Sequence, residues 1–222
     1  MSGFRWAYDL NGSKVPLVRP MYIPTATAIE KGEVLKFTPG TGIVVGDASD
    51  TDTAHIGVAV NEHEANSGTE IKVSISPMAV YAHKSTNIIT ATGGSTTTFV
   101  VSGLLPQIDD LWIDGCIEIV TCAADSSMIG RRLKITDSDG SDGSVTFAAQ
   151  TAAFASGDTA RICPGPRAIG EYGWDLDGDG MNIDWDTDGG ESLILVDVDP
   201  DNMTSYWMLR LHTFGNDGLT IT

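Results

Sequence analysis

Apolar and polar positions alternate with a period of two along much of this chain. In Glu70-Ile-Lys-Val-Ser-Ile-Ser, Ile71, Val73 and Ile75 share one face, while Glu70, Lys72 and Ser74 share the other. That spacing predicts a half-buried strand. Ile29-Glu-Lys-Gly-Glu-Val-Leu-Lys-Phe and His55-Ile-Gly-Val-Ala-Val-Asn read the same way, separated by Gly/Asp-rich breaks. In the second of these, Gly57 and Ala59 leave one face nearly bare, so another backbone can approach closely, from the same sheet or from a neighbouring subunit. Further short runs begin at Phe99, Cys116, Leu133, Val145 and Ala160, with Asp/Gly-rich turns such as Asp137-Ser-Asp-Gly-Ser-Asp-Gly between them. Asp and Gly tolerate the positive φ that tight hairpins need. A last pair, Leu193-Ile-Leu-Val-Asp-Val-Asp and Tyr206-Trp-Met-Leu-Arg-Leu-His, flanks Pro200-Asp-Asn. No convincing amphipathic helix exceeds two turns.

The expected fold is all-β: a small barrel or sandwich, a second small β module inserted or appended, long loops and an extended N-terminal arm. Boundaries fall at composition breaks: an arm over 1–20, a first β domain over 21–85, a second module over 86–166, and an acidic loop with a β hairpin over 167–222. The last segment is positioned to return and complete the first domain. Residues 1–20 carry Arg5, Lys14 and Arg19 against the single Asp9, with Phe4, Trp6 and Tyr8 alternating. Arg5, Trp6, Tyr8 and Arg19 are therefore the candidates for docking on a neighbour. The other reading of this segment is a first strand or a frayed terminus.

Composition agrees with a folded, loop-rich β protein: 222 residues, 41% hydrophobic, 19% charged and 25 glycines. The formal net charge of -17 disfavours direct binding to nucleic-acid phosphates. Between Arg167 and Arg210 there are eleven acids and no Lys or Arg, which leaves 19 acids against 13 bases elsewhere. The acidity is thus mainly local. No apolar run has the ~18 residues of a membrane span. The start of the chain shows no apolar signal region, and three cysteines without a CxxC pair argue against a disulfide framework. A reduced, cytoplasmically synthesised chain is expected.

The sharpest site-like segment is Asp175-Leu-Asp-Gly-Asp-Gly-Met-Asn-Ile-Asp-Trp-Asp. Asp175, Asp177, Asp179 and Gly180 occupy positions one, three, five and six of a calcium-loop pattern, and Asp186 occupies twelve, where a bidentate Glu is usual. Asn182 stands at position eight in place of the isoleucine. A bound Ca²⁺ and a solvated acidic turn are the two readings. Glycoside hydrolysis by paired carboxylates is a weaker one, because nothing marks a raised-pKa acid. His55, His63, His83 and His212 show no zinc spacing and read as isolated surface or strand-end residues. Nucleophile elbows and dinucleotide fingerprints are lacking in the sequence, so no enzymatic activity is expected.

Two stretches carry a resemblance. Glu30-Lys-Gly-Glu-Val-Leu, Gly46-Asp-Ala-Ser-Asp, Ile56-Gly-Val-Ala-Val and Glu70-Ile-Lys-Val-Ser-Ile resemble the core of tailed-phage head decoration (capsid cement) proteins. Ser95-Thr-Thr-Thr-Phe-Val-Val, Asp114-Gly-Cys-Ile-Glu-Ile, Gly130-Arg-Arg-Leu-Lys-Ile-Thr-Asp and Phe154-Ala-Ser-Gly-Asp-Thr-Ala-Arg-Ile are similar to a small β module recurrent in phage head and tail proteins. The resemblance implies a virion protein on the outer surface of an icosahedral capsid, a homotrimer whose partner is the major capsid protein, with no direct contact to nucleic acid or membrane. A head-fibre or tail adhesin binding host-surface glycans is the alternative, with Trp174, Trp185 and Trp207 as sugar-stacking residues. A Ca²⁺-binding surface β module is the third reading.

Overall fold

The computed structural model describes residues 3–23, 27–38, 41–46, 55–76, 78–104, 107–170, 174–176, 181–184 and 193–209. Within them the architecture is all-β, with helical structure confined to three-residue turns. The strands are β1 (Arg5–Asp9), β2 (Val18–Tyr22), β3 (Val34–Thr38), β4 (Gly42–Val45), β5 (His55–Ala59) and β6 (Glu70–Ser74). There follow β7 (Ala79–Lys84), β8 (Ile89–Thr90), β9 (Gly93–Gly94), β10 (Thr98–Val100), β11 (Cys116–Thr121) and β12 (Arg132–Asp139). The last are β13 (Ser144–Phe147), β14 (Thr159–Cys163), β15 (Asp175–Leu176), β16 (Ile183–Asp184), β17 (Leu193–Asp199) and β18 (Thr204–Leu209).

The runs read from alternation form the expected strands. β2-β6-β5-β3-β4 make a five-stranded antiparallel sheet. Its two faces serve different cores. Leu35, Ala59, Ile71 and Val73 close on Ile23, Ile29 and Ile43, whereas Val34 and Val58 face the main core. Ile75, just past β6, packs partly buried against the first of these clusters. The bare position at Gly57 is used inside the sheet: β6 passes so close that a Cβ there would overlap the Ser74 carbonyl oxygen.

β8-β14-β11-β12-β13-β10-β9 form a seven-stranded sheet built wholly from residues 89–163. β12 is its corner. Its first half pairs with β11 and its second half with β13, and the register slips between Ile135 and Asp137. Leu133 and Ile135 point inward before the slip and Ser138 after it. A single extra residue thus turns the strand over, as bulges do.

The third sheet, β1-β7-β18-β17, joins the two ends of the described chain. β18 lies in register on β7, with Trp207 opposite Tyr81. The first twenty residues do not run as one free arm, because β1 and β2 each pair inside a sheet. All three sheets contribute to one continuous core from Phe4 to Leu209. At its centre Trp112, Trp174 and Trp207 stack edge to face, with ring centroids 5.5 and 5.4 Å apart, a geometry that adds to simple burial. The glycan-stacking reading is therefore corrected for two residues: Trp174 and Trp207 have no exposed surface. Trp185 lies outside the described residues.

His55 and His83 stand at or near strand ends, as expected, but the surface reading is corrected. His55, His63 and His83 are buried because their strand positions or bridge point inward. The ring of His83 lies 5.0 Å from that of Phe4, and His63 Nδ1 lies 2.9 Å from the Thr27 carbonyl oxygen. His212 is outside the described residues.

One charged cluster sits on the outer face of the seven-stranded sheet. Glu118 accepts from Arg132 at 2.8 Å and from Arg161 at 2.9 Å. Burial pushes the Glu118 carboxyl up, but the two guanidiniums outweigh it and hold it below the usual range. A depressed carboxyl stabilises the fold above its unfolded pKa of about 4.3, and that contribution is lost as pH falls through the folded value. Glu118→Gln is expected to cost about 1 kcal/mol at pH 7. Urea melts at stepped pH should show the gap to wild type closing below about pH 4; a gap independent of pH would refute this account.

Candidate functional site

β1 is an edge strand, paired on one side with β7. Its register slips between Trp6 and Tyr8, so Ala7 is the extra residue of a bulge. Simple alternation would put Trp6 and Tyr8 on one face. The bulge instead sends Trp6 inward, opposite Tyr81, where it packs on the main core. Tyr8 turns outward, opposite Val80, and meets Tyr206 at a centroid distance of 6.4 Å. Arg5 stands opposite Ala82 on the same outward face.

That outward face also carries Tyr206 and Met208 of β18 and Ile194 of β17, all half-buried. Partial burial raises the Tyr8 phenol above its ordinary pKa, with the Asp197 carboxylate and Tyr206 adding to the shift. It remains a neutral hydrogen-bond donor at physiological pH. β1 also borders a cleft of about 320 Å³, walled by Phe4, Trp6, Val58 and Tyr81 with Arg5 and Lys31 among its lining residues. Three elements therefore meet at β1: an aromatic face with a cation, a mainly apolar cleft, and a strand edge with no second partner strand among the described residues.

The structure brings Arg5, Trp6 and Tyr8 together on this strand. Arg19 is elsewhere, exposed on β2 opposite Val73. Tyr206 and Lys31 are additions that sequence reading missed. Alternation does put Tyr206 on the face opposite Trp207, but which face meets solvent depends on the pairing with β7.

The acidic segment is anchored at its ends. β15 and β16 form a two-residue ladder, Leu176 and Ile183 are fully buried, and Trp174 bridges to Leu193. Asn87 Nδ2 donates to the Ile183 carbonyl at 2.6 Å. Strands, not helices, flank the loop. Asp177, Asp179 and Asp186 lie outside the described residues, as does the side chain of Asp175. The calcium expectation falls on those positions. Among the described residues no three His, Cys, Asp or Glu side chains converge as a metal site.

No known protein family, curated protein or solved structure matches this chain. The described cysteines are free and buried, and burial pushes the Cys116 thiol up to about 11 and the Cys163 thiol up to about 12. Neither is a thiolate at neutral pH, so neither is a ready nucleophile. No helix among the described residues is long and apolar enough to cross a membrane. What the β1 region offers is aromatic contact area, a cation and a strand that, among the described residues, pairs on one side only.

Proposed function

We propose that this chain is a virion structural protein that decorates the outer surface of an icosahedral phage capsid. It stabilises the shell by bridging neighbouring subunits of the major capsid protein, and acts as a homotrimer. The observation that carries this reading is the face of the β1-β7-β18-β17 sheet, where Arg5, Tyr8 and Tyr206 stand outward beside a strand edge that pairs with no second strand among the described residues. The segments that resemble decoration proteins support it, since they supply β3, β5 and β6. An individual contact of the ordinary ~800 Å² per partner need not be strong. Three copies engaging together gain about 10²–10⁴ in avidity. The acidic segment near the C-terminal hairpin would then discourage decorated particles from adhering to one another.

The test combines light scattering on the purified chain with co-sedimentation on empty shells of the major capsid protein. A trimer that binds shells is expected. Arg5→Ala with Tyr8→Ala should keep the fold, and a combined loss of about 1.4 kcal/mol would weaken each copy's own contact with the shell about tenfold. A monomer that does not sediment with shells would sink the proposal.

A further inference from the structure

Cys116 and Cys163 are 47 positions apart in sequence, yet β11 and β14 place them directly opposite each other. Both are buried, and their only companion in a small separate cluster is Met203. The cluster is made entirely of sulfur-bearing side chains. Directly opposed residues of an antiparallel pair have Cβ atoms about 4.5–5.5 Å apart. Metal–thiolate bonds of about 2.3 Å span a similar separation across one ion. Both thiols make only long hydrogen bonds to carbonyl oxygens, Cys116 Sγ to Ile117 at 3.9 Å and Cys163 Sγ to Thr204 at 3.7 Å, and the Ser85 hydroxyl also faces Cys163.

Met203 supplies an independent observation. It caps the turn Pro200–Asn202 with φ 52° and ψ 44°, in the left-handed region. Gly or Asn is the usual occupant there, and a long side chain is strained. If only filling were needed, a leucine in relaxed backbone would serve. The strained turn instead packs a methionine into the cluster of the two cysteines, with only 2% of Met203 exposed.

We propose that Cys116, Cys163 and Met203 form a binding site for a soft monovalent d¹⁰ cation, Cu(I). Two thiolates and a thioether are the donor set that selects such an ion over harder divalent metals. As the ion binds, each thiol releases one proton to solvent and no electron is transferred. The resulting site has a net charge of -1; the cations beside it on the same sheet face, Lys134 and Arg132, are ion-paired with Asp114 and Glu118. Access is through a cleft of about 340 Å³ that reaches Cys116 between Lys134 and Pro200.

The test is an anaerobic titration of the reduced full chain with Cu(I) buffered by bicinchoninate. Wild type should take one equivalent. Cys116→Ser and Cys163→Ser should each weaken binding by at least about a hundredfold, more than the typical loss for an outer-shell residue. Met203→Leu should weaken it less, by about tenfold, and Cys122→Ser not at all. X-ray absorption of the wild-type complex needs no variant and should show sulfur alone in the inner shell. Copper retained equally by Cys116→Ser/Cys163→Ser, or nitrogen or oxygen as inner ligands, overturns the proposal. So does loss of both thiols to a disulfide with no copper held.

Discussion

Replacing Trp174 with alanine is expected to cost about 3–5 kcal/mol of folding stability, the usual range for deleting a large buried aromatic. At about 2–4 °C per kcal/mol for a chain of this size, the melting temperature should fall by roughly 6–20 °C. The reason is position. Trp174 is the middle rung between Trp112, which precedes β11, and Trp207 of β18. It also opens the acidic segment and bridges to Leu193. Its removal would leave a cavity where three parts of the chain meet, and the surrounding strands cannot collapse into it without breaking register. Urea denaturation followed by near-UV circular dichroism measures this. A loss below about 1 kcal/mol would mean that the rung is dispensable.

Gly57→Ala is expected to be nearly as damaging, although it adds only one methyl group. Gly57 has φ +153°, and its missing Cβ would collide with the Ser74 carbonyl oxygen and lie 2.9 Å from Val73 Cγ1. Both neighbours belong to β6, so β5 and β6 would have to separate. Because β5 is central, that opening divides β2-β6 from β3-β4. A cost above about 2 kcal/mol is expected, combining backbone strain with lost ladder bonds. Hydrogen exchange should show the amides of β6 losing protection more than those of β12. Uniform loss across both sheets would argue against a local split.

Alternation made strands such as β6 and β12 legible because one face of each meets solvent. Glu70 and Lys72 against Ile71 and Val73 is a signal that burial alone produces, and the structure reproduces it. The Pro200-Asp-Asn turn between β17 and β18 was readable for a similar reason, since it interrupts two apolar runs. The faces were legible only up to the first bulge. Ala7 moves Tyr8 away from Trp6 and divides the proposed docking strand between core and solvent. The bulge in β12 reverses Ser138 in the same way. Nothing in sequence spacing marks such an extra residue. The pairing of Cys116 with Cys163 was equally invisible, because cross-strand neighbours are set by sheet order. The buried tryptophans and histidines belong to the same class: their residue types tolerate either environment, and only the packed partners decide.

The central place of β18 has a consequence for synthesis. A ribosome emits β1 and β7 early, then every strand of the seven-stranded sheet, and residues 204–209 only afterwards. The middle of the chain therefore has all its pairing partners while β7 still waits for the neighbour it will share with β17. Contacts this distant in sequence form slowly, and an unpaired edge left open in the interval invites pairing with another nascent chain. The sheet that holds the first strand is the last to receive all its strands.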